Sequence, residues 1–193
     1  MENLREDIKR KKFVVIDLET TGLNNNPQLG AVDYIIEVGA VKIEKGRITE
    51  KFHSFVDCPV GVPKVITELT GITDKDLVGA PNVGEVLTAL QAFCKDCCFV
   101  GHNVGFDLGF LRHFGQAVGA AFKGEIYDTA TLAEKFLKGE IPNRKLATVA
   151  KYFGISFSSH RALDDALATA KIFLDFAKLQ AFLEWLSSVK EFD

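Results

Sequence analysis

Two carboxylates, Asp17 and Glu19, stand two positions apart at the end of the apolar stretch FVVIDLET. On a β-strand, residues two positions apart project from the same face, so these side chains are expected to lie together. Neighbouring carboxylates repel, and each raises the free energy needed to ionise the other. Mg²⁺ or Mn²⁺, which prefer hard oxygen ligands, would relieve this repulsion. Taken alone, the pair is more typical of two solvent-facing acids, so a metal site needs further ligands.

Asp107 is another candidate ligand. It falls in the first turns of a predicted helix within GHNVGFDLGFL, where Phe106, Phe110 and Leu111 could bury one face. An acid near a helix N-terminus also interacts favourably with the helix dipole, and this is an alternative explanation for the residue.

The segment HRALDDALATA adds a histidine and another acid. His160 precedes a predicted helix and Asp165 follows five residues later, so the imidazole could lie above a site that Asp165 faces. Ala162 and Ala166 are small, which lets the helix approach a sheet closely. Asp164 points about 100° away from Asp165 on a helix and is expected to be solvated. Considered alone, His160 is more typical of a loop histidine without a catalytic role.

The three segments together resemble a known enzyme family. DLETTGL, HNVGFD and HRALDDA are similar, in this order, to the three exonuclease motifs of the DEDDh branch of the DnaQ-like 3′→5′ exonucleases, within the ribonuclease H-like superfamily. The segments IIEVGAVKI, LTGIT and YDT also resemble family segments, and the likeness covers about residues 12–179. Position 161 is arginine where the sister branch has tyrosine, and histidine stands at 160, which indicates the histidine branch. Within the family, the chain is most similar to the epsilon proofreading subunit of bacterial DNA polymerase III.

This resemblance implies a two-metal active site. Asp17, Glu19, Asp107 and Asp165 would hold two divalent cations, Mg²⁺ or Mn²⁺, with Asp17 bridging them. His160 would accept the proton of the attacking water, and an unperturbed imidazole pKa of about 6.5 suits that role near neutral pH.

The resemblance also implies substrate contacts. Thr20 would hold the terminal nucleotide, and Leu23 would wedge against the last base. Phe106 would pack against the sugar or base, and Asn103 would shape the pocket. Ordinary core packing is an equal alternative for Leu23 and Phe106. Thr70 falls where some relatives have a histidine that contacts the substrate, so its role is left open.

The implied activity is removal of nucleoside 5′-monophosphates from a single-stranded or frayed 3′ end of DNA, in proofreading or repair. Two alternatives remain: an RNA-trimming exoribonuclease of the same family, and a non-catalytic adaptor for a polymerase or sliding clamp. The adaptor is disfavoured because it has no need of four carboxylates and a base.

Bulk composition agrees with a cytoplasmic enzyme. The 193 residues are 47% hydrophobic and 25% charged, and they include neither a membrane-length apolar run nor a signal-peptide pattern. A net charge of −3 argues against strong nonspecific DNA binding by counterion release. The four cysteines are expected to be free thiols, because a zinc site at Cys94 and Cys97 lacks a second ligand pair.

The pattern of elements predicts an α/β fold. An apolar strand from Phe13 and a hairpin around Lys45 and Gly46 form an antiparallel meander of three strands, and alternating helices and strands follow. We therefore expect a ribonuclease H-like sandwich with a mixed five-stranded sheet flanked by helices. Residues 1–193 are expected to form a single exonuclease domain with its core at about 12–179.

Several outlying residues have weaker assignments. His102 is expected to be structural. The C-terminal helical extension, at about 180–193, carries an apolar stripe that could bind a polymerase or a second copy, although packing on its own domain is favoured. A modest phosphate-attracting rim is possible but less favoured than solvated surface, and its candidates are Arg112, Lys145, Lys151 and Arg161.

Overall fold

A five-stranded mixed sheet forms the centre of the computed structural model, which describes residues 3–190. The strand order is β3-β2-β1-β4-β5: the first three strands are antiparallel, and β4 and β5 run parallel to β1. The predicted fold class is confirmed. The strands are β1 (Lys12–Thr20), β2 (Ile35–Glu44), β3 (Arg47–Phe55), β4 (Cys98–Gly101) and β5 (Ile126–Asp128).

Eight α-helices complete the described part of the chain, with a short 3-10 helix at Pro27–Leu29. The sequence predicted the last five of these helices, but the N-terminal helix and the two helices between β3 and the fourth helix were missed. The α-helices are α1 (Leu4–Arg10), α2 (Lys64–Thr70), α3 (Asp74–Leu77), α4 (Val83–Phe93), α5 (Gly105–Val118), α6 (Thr129–Phe136), α7 (Leu146–Tyr152) and α8 (Ala162–Lys190).

The hairpin between β2 and β3 turns at the two residues that the sequence indicated. Lys45 and Gly46 have φ angles of 50° and 73°, which is the left-handed pair that a two-residue hairpin turn requires. Glycine adopts this conformation without a steric penalty. The turn fixes the register in which β2 pairs with β3.

Alternation along β1 separates two hydrophobic cores. Val14 and Ile16 point to a cluster that includes α4 and α5, whereas Phe13 and Val15 point to a cluster built with α6, α7 and α8. By this period of two, the later odd-numbered residues of β1 continue along the face that α8 covers. The strand extends to Thr20, so the first two acids lie within β1 rather than beyond its end.

Helix α8 lies close to the sheet at Gly39 of β2. A Cβ atom at this position would collide with the backbone of Ala162 and Leu163, so only glycine allows the present approach. Gly39 is the direct cross-strand partner of Asp17 in β1. The first turn of α8 is therefore held beside the strand that carries the acids.

The N-terminal segment belongs to the packed structure. In α1, Leu4 and Ile8 are buried in the same core cluster as α8, although most of the helix is charged. The family resemblance placed the start of the core at about residue 12, and these two apolar residues stand isolated among charges. Within residues 3–190, no helix has the length and hydropathy needed to cross a membrane.

The end of α8 does not pack as favoured from the sequence. Phe182, Leu183 and Trp185 expose 52%, 40% and 58% of their surface, and the rings of Phe182 and Trp185 stack at a centroid distance of 6.0 Å. The predicted apolar stripe consists of Leu179, Phe182, Leu183, Leu186 and Val189. The expectation that it covers its own domain is wrong for Phe182 and Leu183, whereas Leu179 does pack against the core. The side chain of Val189 lies outside the described residues.

Candidate active site

Asp17 and Glu19 both project from β1 toward α8, as their spacing predicted. Each is only partly exposed, and Leu18 between them points into the opposite core. In the antiparallel register, Glu19 lies opposite Glu37 of β2. Three carboxylates thus share one end of one sheet face.

Asp107 reaches the same strand from the other side. It is the third residue of α5 and is buried, and its Oδ1 accepts a hydrogen bond from the Leu18 N–H at 3.0 Å. The loop before α5 is held by Asp128, whose carboxylate accepts the backbone N–H groups of Asn103 and Val104 at 3.1 and 3.0 Å. Asp128 therefore helps to place Asp107 between the two acids of β1.

The first turn of α8 supplies the remaining predicted pair. The backbone N–H of His160 donates to Asp165 Oδ2 at 3.1 Å, and His160 has a left-handed φ of 66°. Ligand atoms of Glu19, His160 and Asp165 all lie within 4.8 Å of one another. The fold thus brings together residues that are up to 146 positions apart in the sequence, from Glu19 to Asp165.

The four acids Asp17, Glu19, Asp107 and Asp165, called the acidic site below, are buried or partly buried, and none forms an ion pair with a lysine or arginine among residues 3–190. Burial, with the charges of neighbouring acids, raises the pKa of Glu19 to about 8. Burial likewise raises the pKa of Asp165 to about 6, even though the His160 N–H favours its ionised form. The pKa of Asp107 also rises through burial, against the hydrogen bond from Leu18. For Asp17, burial and the charges of the other three acids raise the pKa well above its ordinary value.

These residues fit divalent cations. Asp165 Oδ1 is buried and accepts no hydrogen bond from the part of the chain that the structure describes. A buried carboxylate oxygen without a partner is costly, and a cation would satisfy it. The carboxylate oxygens of the acidic site are hard ligands, which suits divalent ions of the magnesium and manganese type.

Glu37 is an important residue that the sequence analysis missed. Its side chain is fully buried, and its carboxylate accepts hydrogen bonds from Arg161, from the Ala162 N–H and from His53 Nε2. Burial opposes its ionisation, but these donors lower the pKa of Glu37 below its ordinary value. The available signal was an acid in the middle of the apolar strand IIEVGAV, where a charge needs a partner.

The residues suggested as substrate contacts occupy different environments. Thr20 is buried with its hydroxyl donating to the Gly22 carbonyl at 2.6 Å, whereas Leu23 is 84% exposed. Asn103 is exposed with a φ of 65°. Phe106 is partly buried against the first core, edge-on to Phe110. Exposure makes Leu23 available to a ligand, while packing explains much of Phe106.

Thr70 is occupied within its own helix. Its hydroxyl donates to the Ile66 carbonyl at 2.9 Å and accepts the Ile72 N–H at 3.0 Å. The side chain is buried at the end of α2. These two hydrogen bonds account for a threonine at this position without a substrate.

Three other predictions concern His102, Arg161 and the cysteines. His102 is held by Thr129 Oγ1 at 2.9 Å and the Arg144 carbonyl at 2.7 Å, which agrees with a structural role. The guanidinium of Arg161, one of the candidates for a phosphate-attracting rim, is bound to Glu37. The four cysteines are free thiols, and Cys94 and Cys97 are buried.

Comparison with known proteins identifies close sequence relatives. A family model described as "Exonuclease" matches residues 14–173. DNA polymerase III PolC-type of Clostridium perfringens is 41% identical over 171 residues, which is 88% of this chain and 11% of that protein. The same protein of Thermotoga maritima is 40% identical over 169 residues, 86% of this chain and 12% of the relative. The chain thus spans about a tenth of the length of these relatives.

Solved structures with the same fold include several nucleases. E. coli exonuclease I in complex with a dA16 oligonucleotide superposes with a TM-score of 0.72 at 18% identity, covering 90% of this chain and 43% of the other. The nuclease domain of 3′hExo, a DEDDh family member bound to rAMP, has a TM-score of 0.72 at 20% identity and covers 87% and 92%. At these identities the likeness concerns the fold.

Proposed function

The chain belongs to the exonuclease family whose model matches it, and we propose that it is a metal-dependent 3′→5′ exonuclease acting on DNA. It would hydrolyse phosphodiester bonds from the 3′ end and release nucleoside 5′-monophosphates. The acidic site carries this proposal, because four clustered carboxylates with raised pKa values, and no lysine or arginine paired with them in the described part of the chain, are typical of a metal-dependent active site. A non-catalytic adaptor would not retain such a destabilising arrangement.

The acidic site would hold two divalent cations, Mg²⁺ or Mn²⁺, through Asp17, Glu19, Asp107 and Asp165. Such cations supply Lewis-acid chemistry, stabilising negative charge on the phosphate and on the leaving oxygen. The protein contributes the arrangement of oxygen ligands. Leu18 and Asp128 fix Asp107, and the register of β1 fixes the other two acids on their face.

His160 would remove the proton from the attacking water. Its ring is exposed at the edge of the acidic site, beside Glu19 and Asp165, where water and a phosphodiester can approach. The hydrogen bond from His160 to Asp165 uses the backbone N–H and orients the residue. It does not involve the imidazole ring, which would act as the base. The substrate's last nucleotide would lie near Thr20 and Leu23, with Asn103 and Phe106 at the pocket.

We propose DNA as the substrate because the sequence relatives are DNA polymerase III proteins of the PolC type. The chain is acidic overall, so phosphates would be neutralised mainly by cations instead of by a basic surface. We infer a proofreading or repair role in the cytoplasm, in the context of a DNA polymerase subunit. The four free thiols agree with a reducing compartment.

A second candidate is RNA trimming. The structural neighbour 3′hExo is bound to rAMP, which shows that this fold accommodates a ribonucleotide in that protein. Sugar preference depends on whether the pocket around Thr20 and Phe106 admits a 2′-hydroxyl. The acidic site is the same for either substrate.

The proposal is tested with 3′-labelled DNA and RNA oligomers of matched sequence, single-stranded or ending in a mismatch. We expect Mg²⁺-dependent release of labelled mononucleotide, faster from DNA than from RNA, and complete inhibition by EDTA. Faster release from RNA would favour the trimming enzyme. Absence of release from every substrate would contradict catalysis and favour the adaptor.

A further inference from the structure

Glu37 lies beside the acidic site, yet hydrogen-bond donors surround its carboxylate, unlike the acids of that site. Arg161 Nη2 approaches Glu37 Oε1 at 2.9 Å, and His53 Nε2 approaches the same oxygen at 2.7 Å. The Ala162 N–H donates to Oε2 at 3.0 Å. An ionised carboxylate can only accept, so all three groups act as donors to it. These groups are called the Glu37 network.

The network attaches the start of α8 to the sheet. Ala162 begins the helix, and its N–H is one of the first-turn donors that have no partner inside a helix. Glu37 supplies the missing acceptor from β2, and Gly39 on the same strand face lets the backbone approach. The guanidinium of Arg161 also lies over the Phe55 ring at 5.6 Å.

His160 immediately precedes this attachment and adopts a left-handed backbone conformation. A non-glycine residue adopts such a conformation only at an energetic cost, so surrounding contacts must hold it. On one side, its own N–H is bound to Asp165. On the other, the next two residues are bound to Glu37. The network therefore fixes the two residues that follow His160, whereas the hydrogen bond to Asp165 fixes His160 itself.

We propose that Glu37 and Arg161 are positioning residues that hold His160 in the orientation for proton transfer, without themselves binding metal or substrate. This inference rests on the proposed exonuclease function. The observation behind it is a two-atom contact, because Arg161 binds Glu37 through both Nη2 and Nε of its guanidinium. Lysine would keep the positive charge but lose the fork.

The test therefore uses Arg161→Lys, which leaves Glu37 with a positive partner and favours retention of the fold. Misplacement of a catalytic group by a fraction of an ångström to an ångström is expected to lower kcat roughly 10- to 100-fold. KM and the Kd for Mn²⁺ should change by less than about 2-fold, because substrate and metal contacts are not removed. Arg144→Lys is the matched control, because Arg144 pairs with a glutamate, Glu134, at the surface.

A double-mutant cycle separates positioning from a general structural effect. If Arg161 acts through His160, adding Arg161→Lys to His160→Ala should cause no further loss of single-turnover rate. Multiplication of the two losses would overturn the proposal. A fall in Mn²⁺ affinity equal to the fall in kcat would also overturn it, because the network would then act through the metal ligands.

Amide hydrogen exchange provides a readout that does not need activity. Arg161→Lys should speed exchange at His160 and Ala162 by roughly 10-fold, with no change in the β1 amides. Exchange equal to that of the unmodified protein would overturn the proposed attachment. If the unmodified protein has no nuclease activity but the exchange effect occurs, the proposed function fails while the attachment of the turn stands.

Discussion

The acidic site clusters four carboxylates, whereas the Glu37 network holds a single carboxylate on the neighbouring strand. Glu19 and Glu37 face each other across β1 and β2. In the Glu37 network, Arg161 and other donors lower the pKa of the acid. In the acidic site, burial raises the pKa of every acid, and the charges of the other site acids raise those of Asp17 and Glu19 further.

This difference distinguishes an acid that stabilises the fold from acids that, on the proposed function, would hold an external cation. A buried charge paired within the protein has its electrostatic cost offset by hydrogen bonds. Clustered carboxylates without such partners destabilise the folded chain until a cation binds. Substitutions in the two regions should therefore have opposite effects on the stability of the metal-free protein.

The largest effect is expected for Asp17→Asn. Loss of cation binding removes several catalytic contributions together, so turnover should fall roughly 10⁴-fold or more. The metal-free variant should nevertheless be more stable than the unmodified protein, because a repelling charge is gone. Nuclease assays and thermal unfolding in EDTA measure the two outcomes. Asp164→Asn, one position outside the acidic site, is the control; equal loss in both variants would contradict the assignment.

His160→Ala should lower turnover roughly 10²- to 10⁴-fold, the usual contribution of a general base. Affinity for Mn²⁺ should persist, because the four carboxylates remain. Asp107→Ala, in contrast, should lose both turnover and metal affinity. Metal titration of the two variants compares them directly. Loss of Mn²⁺ binding in His160→Ala would make the imidazole a ligand in place of a base.

Glu37→Ala tests the Glu37 network, in which hydrogen-bond donors compensate a buried charge. Removing one partner of a buried ion pair strands the other, and the free energy of unfolding should fall by about 3–5 kcal/mol. Glu50→Gln, which breaks an exposed pair with Lys42, should cost less than about 1 kcal/mol. Urea unfolding in EDTA measures both. A stability of Glu37→Ala equal to that of Glu50→Gln would remove the distinction between the regions.

A smaller effect is expected from pH in the absence of metal. Glu19 and Asp165 have pKa values of about 8 and about 6 in the folded chain, above those of unfolded acids. Between the unfolded and folded pKa values the native state binds more protons, so stability should decrease as pH rises from about 4.5 to 8. Saturating Mg²⁺ should flatten this slope, and Glu19→Gln should reduce it. Thermal unfolding across this range shows whether stability instead rises with pH.

The acidic site was more accessible to sequence analysis than the Glu37 network. Asp17 and Glu19 share a face because of strand geometry, and His160 and Asp165 are separated by about one helical turn, so short-range spacing predicted both pairs. The family resemblance joined them to Asp107. The partners Glu37 and Arg161 are 124 residues apart, and no local pattern indicates that they meet.

Other differences have similar causes. The helix α1 is mostly charged, and its burial depends on Leu4 and Ile8 meeting α8 from the far end of the chain. The exposed Phe182 and Trp185 have helical spacing, but spacing does not reveal whether a surface lies opposite. Local chemistry was thus predictable, whereas pairing across the sheet required the coordinates.

The most direct test of the acidic site is calorimetric titration of the metal-free protein with Mn²⁺ near neutral pH, in buffers of different ionisation enthalpy. We predict saturable binding of about two ions per chain, accompanied by proton release from the carboxylates with raised pKa values. Asp17→Asn should lose this binding, and Asp164→Asn should keep it. Absence of saturable binding, or equal binding by Asp17→Asn, would contradict the central claim that these buried acids are arranged for cations.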